Sequence, residues 1–67
     1  DINLLSKREI EIILLIKKGL SSKEVAQKLD ISLKTVEVHR HNILKKLDLK
    51  NTPALIDFIN KSGFDLE

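Results

Sequence analysis

The 67-residue sequence predicts an all-α domain of four helices. Three observations carry that expectation. Serine precedes glutamate by three residues at Ser6/Glu9 and again at Ser21/Glu24, the spacing of a capping box. Apolar residues then recur three and four positions apart, the period of a helix with one buried face. The conformational punctuation is sparse, two Gly and one Pro, with Gly19, Pro53 and Gly63 at the edges of the periodic segments. A composition of 42% hydrophobic and 33% charged residues suits such a domain better than a disordered tail or a β-sandwich.

The first helix is expected over about 6–18, capped by Ser6, striped by Ile10, Ile13 and Leu14 and ended by Gly19. Ile12, Leu15 and Ile16 extend its apolar surface beyond one stripe. It therefore has to touch more than one neighbour, and the simplest arrangement sets it between helices two and three on one side and Leu55, Phe58 and Ile59 of helix four on the other. Helix two is expected over about 22–29, with Val25, Ala26 and Leu29 facing inward and Asp30 breaking the pattern. Only Asp30 and Ile31 remain before Ser32, a candidate cap for helix three over 33–47, so the connection must be a tight turn. Thr52 then Pro53 reads as N-cap and first helical position, giving helix four over about 53–61, closed by Gly63. Residues 1–4 and 65–67 are expected to fray.

The size fits one domain, which at this length buries only about 60% of its extended-chain surface. Without cysteine neither a disulfide framework nor a thiolate zinc site is possible, and the cytoplasm is the default compartment. The longest apolar run, IILLI at 12–16, is too short to span a membrane. The net charge of +2 is unevenly spread: Lys34, Arg40, Lys45, Lys46 and Lys50 outnumber Glu37 and Asp48 in the middle of the chain. A basic middle fits a local anionic partner, and a solvated lysine-rich face is the plainer alternative.

Helix three, SLKTVEVHRHNILKKL with its cap, has two faces. At about 100° per residue, Val36, Ile43 and Leu47 fall on one line with Leu33 and Leu44 beside it, an expected buried stripe. Lys34, Val38, His41 and Lys45 lie opposite. Two helices joined by a tight turn, the second basic on its free face, form the helix-turn-helix arrangement, in which the second helix enters the DNA major groove.

The stretch LSKREIEIILLIKKGLSSKEVAQKLDISLKTVEVHRHNILKKLDLKNTPALIDF resembles the DNA-binding domain of the LuxR type, found at the C-terminus of NarL/FixJ-class response regulators and of quorum-sensing regulators. The likeness covers about residues 4–64. Matching positions are Leu5, Arg8, Glu9, Glu11, Gly19, Lys23, Glu24, Val25, Ala26, Leu29, Ile31, Ser32, Thr35, Val36, His39, Asn42, Ile43, Lys46 and Leu47. The resemblance implies a four-helix LuxR-type helix-turn-helix fold, DNA reading by the third helix, and dimer contacts through the fourth. On that basis Pro53, Ile56, Asp57 and Asn60, on the side away from Leu55 and Ile59, are the dimer candidates; peripheral core packing is the alternative for Ile56. Two positions depart from the pattern. Glu37 stands where many members have lysine, implying a different base preference, and Asn51 stands where arginine is frequent, removing a phosphate contact.

The exposed face of helix three can then be assigned. Val38 is the base reader, its methyls suited to the thymine C5-methyl group, against the plain alternative of a tolerated surface valine. Glu37 either accepts from a cytosine amino group or pairs with Arg40 or His41. His41 can donate to guanine or to a phosphate. Lys23, Lys34, Arg40 and Lys45 are placed as phosphate contacts, with Ser32 and Thr35 adding neutral bonds near the positive end of the helix dipole. His39 points about 200° away from His41, so the two cannot share a metal, and it is left between a structural and a phosphate-facing role.

No catalytic residue, metal site or cofactor is expected, and the protein is not read as an enzyme. The expected partners are double-stranded DNA, a second copy of the chain through the fourth helix and, further out, RNA polymerase, with no membrane. The whole of 1–67 is read as a single DNA-binding domain, the C-terminal fragment of a longer regulator, reading paired half-sites as a dimer. The competing function is a helical protein-interaction or dimerisation module without DNA binding.

Overall fold

The structure, a computed structural model, describes residues 4–61. Within them run α1 (Lys7–Lys17), α2 (Ser22–Leu29), α3 (Leu33–Lys46) and α4 (Thr52–Lys61), with no strand among the described residues. Both expected capping boxes are formed. Ser6 Oγ accepts from the Glu9 amide at 3.1 Å while Glu9 Oε1 accepts from the Ser6 amide at 2.8 Å, and Ser21 and Glu24 repeat the exchange at 3.2 and 2.8 Å. Ser32 caps α3 by accepting from the Thr35 amide at 3.1 Å.

Helix four begins differently from the expectation. Its cap is Asn51, whose Oδ1 accepts from the Ala54 amide at 2.9 Å and whose carbonyl takes the first helical bond, from Leu55, at 3.1 Å. Thr52 is the first helical residue instead, and Pro53 the second, where its missing N–H still leaves no helical bond unmade. Asn51 wins the cap because its carboxamide reaches the third amide of the helix, while the Thr52 hydroxyl is engaged by Arg40. The expected closure at Gly63 and, Leu4 apart, the fraying of 1–4 and 65–67 lie outside the described residues.

The first three helices stop in one way. The amides of Leu20, Ile31 and Leu49 reach back five residues to the carbonyls of Leu15, Ala26 and Leu44, at 3.2, 3.0 and 2.8 Å. The residue before each adopts positive φ: Gly19 at 95°, Asp30 and Asp48 both at 57°. This is the Schellman ending, which needs a left-handed residue and folds the following apolar side chain back onto the helix. Leu20, Ile31 and Leu49 accordingly pack against the core.

The core gathers Ile12, Ile13 and Ile16 of α1, Val25 and Ala26 of α2, Val36 and Ile43 of α3, and Leu55 and Ile59 of α4. Helix α1 packs against each of the other three, as its surplus of apolar positions requires. Ile10 and Leu14 of the expected stripe are only half-buried, and the buried line runs instead through Glu9, Ile12, Ile13 and Ile16. A second correction concerns Leu33, expected on the buried stripe but 49% exposed. It stands about 60° round the helix from Val36, on the flank of Glu37, where no other helix covers it. No helix of the described residues is long and apolar enough to cross a membrane.

Among the described residues, Glu9 is the one charged side chain in this core, 3% exposed. Its Oε1 accepts from Lys46 Nζ at 2.8 Å as well as from the Ser6 amide, so one oxygen joins the start of α1 to the end of α3. Burial alone would raise the Glu9 pKa, but the bond and charge of Lys46 and the Ser6 amide together outweigh it, and the carboxyl is held below its usual value.

Removing Lys46 leaves a buried carboxylate without its cation. Breaking a fully buried pair costs about 3–5 kcal/mol, and because Lys46 is 38% exposed we expect Lys46→Met to lose about 2 kcal/mol by urea denaturation. Because folding lowers the Glu9 pKa, its stabilisation is complete above the unfolded value of about 4.3 and is lost as pH falls through the folded value. Thermal melts from pH 6 down should therefore show a steeper loss below about pH 4 in the wild type than in Glu9→Gln; parallel curves would remove Glu9 as a source of acid sensitivity.

Candidate nucleic-acid interface

Helices α2 and α3 pack more extensively on each other than any other pair. Between them lie only Asp30, Ile31 and Ser32, so the left-handed turn at Asp30 and the cap at Ser32 set the angle between them over three residues. With Val36 and Ile43 fully buried, the opposite side of α3 is forced outward by helical geometry. Lys34, Val38, His41 and Lys45 are all exposed along it, Val38 by 52%, and no part of α4 covers them. The ridge places two ammonium groups and an imidazole around an isopropyl group, on a helix about 10–12 Å across. Chemically it can donate to anionic oxygens and to acceptors on base edges while offering methyl groups for apolar contact.

The surrounding residues divide into free and committed groups. Lys23 on α2 is exposed. The Ser32 and Thr35 hydroxyls lie 2.8 Å apart and hydrogen-bond each other at the start of α3. Glu37, half of its side chain in solvent, pairs with Arg40 at 3.2 Å, one of the two partners the sequence offered it. Arg40 is three-quarters buried and turned into the protein: Nη1 donates to Ser22 Oγ as well as to Glu37 Oε1, and Nη2 donates to Thr52 Oγ1. It thus stands apart from Lys34 and Lys45, with which the sequence grouped it. His39 is half-buried, on the other side of α3 from His41.

Pro53, Ile56, Asp57 and Asn60 are exposed together on the outer side of α4, opposite the buried Leu55 and Ile59. Ile56, 41% exposed, is outside the core, and Asp57 pairs with Lys61 at 3.3 Å. Among the described residues no group of three or more His, Asp or Glu side chains could hold a metal ion.

Two features of this face were not read from the sequence. Leu33, exposed in the first turn of α3, adds a second large apolar side chain beside Lys34; its angular offset from the Val36–Ile43 line was the available signal. The hydroxyl partners of Arg40, Ser22 and Thr52, are 18 and 12 residues away, beyond any local spacing rule.

A family model described as bacterial regulatory proteins, luxR family, matches residues 3–59. The oxygen regulatory protein NreC of Staphylococcus haemolyticus is 52% identical over 58 residues, covering 87% of this chain and 27% of that protein. The proteins of the same name from Staphylococcus carnosus and from Staphylococcus aureus strain JH9 match with the same identity and coverage. The chain therefore spans about a quarter of the length of the curated relatives it matches.

Proposed function

The chain belongs to the luxR family of bacterial regulatory proteins and is a non-enzymatic helix-turn-helix DNA-binding domain; from this premise we propose that it reads specific double-stranded DNA sequences by seating α3 in the major groove. The observation that carries the reading is the open ridge of Lys34, Val38, His41 and Lys45. A ridge of donors around an apolar centre suits a groove about 12 Å wide that presents acceptors and thymine methyl groups.

Val38 and His41 take base edges in this reading. Glu37 joins them through its second carboxylate oxygen, since Oε1 is occupied by Arg40. Lys34, Lys45 and Lys23 meet phosphates, with Ser32 and Thr35 supplying neutral bonds at the positive end of α3. One α3 covers only a few base pairs, so adequate specificity asks for two copies on paired half-sites, joined through Pro53, Ile56, Asp57 and Asn60 of α4. As part of a longer cytoplasmic response regulator, the domain would bring its DNA site into contact with RNA polymerase.

Selection of bound duplexes from a random pool, followed by titration of the winner at several salt concentrations, tests this directly. Affinity should fall with ionic strength with a log–log slope of about −0.9 per phosphate neutralised. A salt-insensitive domain that enriches no sequence would instead be a protein-interaction module. Val38→Ala should weaken the selected site by about 1–3 kcal/mol and leave random duplex nearly unchanged; equal losses on both would reject Val38 as a reader. Lys34→Ala should weaken both and flatten the salt slope by about one unit.

A further inference from the structure

Helices α2 and α4 have the least direct contact of any pair in the domain. Between their first turns lies a cleft of about 210 Å³, lined by Ile16, Leu20, Ser22, Thr52 and Ile56 together with Arg40. Apolar packing is incomplete there. Ser22 and Thr52 are each the first residue of their helix, right after the caps at Ser21 and Asn51, so their positions on the two walls are set by the helix starts. Arg40, midway along α3, donates from Nη1 to Ser22 and from Nη2 to Thr52. Its Nε is buried with no acceptor. An N–H without a protein acceptor is unfavourable, and the two hydroxyls orient the guanidinium. A cation beside two positive helix ends is also disfavoured, and Glu37 at 3.2 Å supplies the compensating charge.

We propose that Arg40 is a positioning residue that ties the starts of α2 and α4 to the recognition helix, and that it acts on DNA selectivity through the pose of α3 and not through a phosphate. The proposal rests on the DNA-binding reading above. A planar fork is preorganised to meet two divergent hydroxyls, with less freedom lost per bond than an ammonium on a flexible stem would lose. The tie reaches α4 as well as α2, so it joins the candidate dimer helix to the candidate reading helix through one side chain.

Two variants separate the roles. Arg40→Met removes the fork and a charge; the double variant Ser22→Ala/Thr52→Val removes both acceptors and leaves every charge in place. The probes are the duplex enriched from the random pool and a random-sequence duplex of equal length. Both variants should lose about tenfold on the enriched duplex, the size of one disturbed base contact, and much less on the random one, with the salt slope unchanged. Hydrogen exchange of the Leu55 amide, which makes the first helical bond of α4, should quicken in both variants without DNA present. A salt slope flattened by about one unit in Arg40→Met, with the double variant behaving as wild type, would overturn the proposal in favour of a phosphate contact. Unchanged Leu55 exchange in both variants would overturn it whether or not the wild type binds DNA. A wild type that enriches no duplex refutes the function proposed above, and the exchange result then still reports on the tie by itself.

Discussion

A carboxylate at 3% exposure in a domain this small constrains everything around it. Glu9 can keep its charge there only if cations and amide donors converge on it, and they come from two sides: the Ser6 amide within its own capping box and Lys46 from the last turn of α3. The local rule that starts α1 and the long-range contact that ends α3 therefore meet on one oxygen atom. Replacing such a pair by apolar groups can leave stability unchanged. What the ions add is direction, because an apolar contact slides and a bond from Nζ to Oε1 does not. With α1 and α3 oriented against each other at this point, Ile12, Ile13 and Ile16 join Val36 and Ile43 in one buried cluster, and α2 and α4 pack against the same two helices.

The functional face follows from that arrangement by exclusion. Helix α3 spends Val36 and Ile43 on the core, which leaves the opposite ridge to solvent, and only three residues connect it to α2, its most extensive packing partner. The cations of α3 are then sorted by what else they touch. Lys46 belongs to Glu9 and Arg40 to Ser22, Thr52 and Glu37, whereas Lys34 and Lys45 stand in the open with Val38 and His41. A count of basic residues in the sequence treats these four as equivalent. Their surroundings make two of them internal fasteners.

Much of the fold was legible because it is written in short-range chemistry. The boxes at Ser6/Glu9 and Ser21/Glu24, the stops at Gly19 and Asp30, and the excess apolar surface of α1 each involve residues within a turn or two of one another. The cap of α4 was misplaced by one residue because Asn51 and Thr52 are both good caps, and the choice was decided by Arg40, twelve residues upstream, drawing the threonine hydroxyl away. Leu33 was assigned to the core because it is apolar and near the buried line; it lies at the edge of the contact, where a helical wheel gives a direction but not the extent of the neighbour. The Glu9–Lys46 pair and the Arg40 tie were illegible for one reason, since both join positions whose separation only the tertiary fold determines.

Two of the three Schellman turns place an aspartate, not a glycine, in the left-handed region. An L-residue is held there against its own preference, by roughly 1–2 kcal/mol for most side chains and less for aspartate, while Gly19 has open space where a Cβ would stand and is kept for its φ alone. With only two glycines in 67 residues, the denatured chain samples fewer backbone states than a glycine-turned equivalent would. Folding thus surrenders less disorder at the two aspartate bends, a useful economy for a polypeptide with so small an interior.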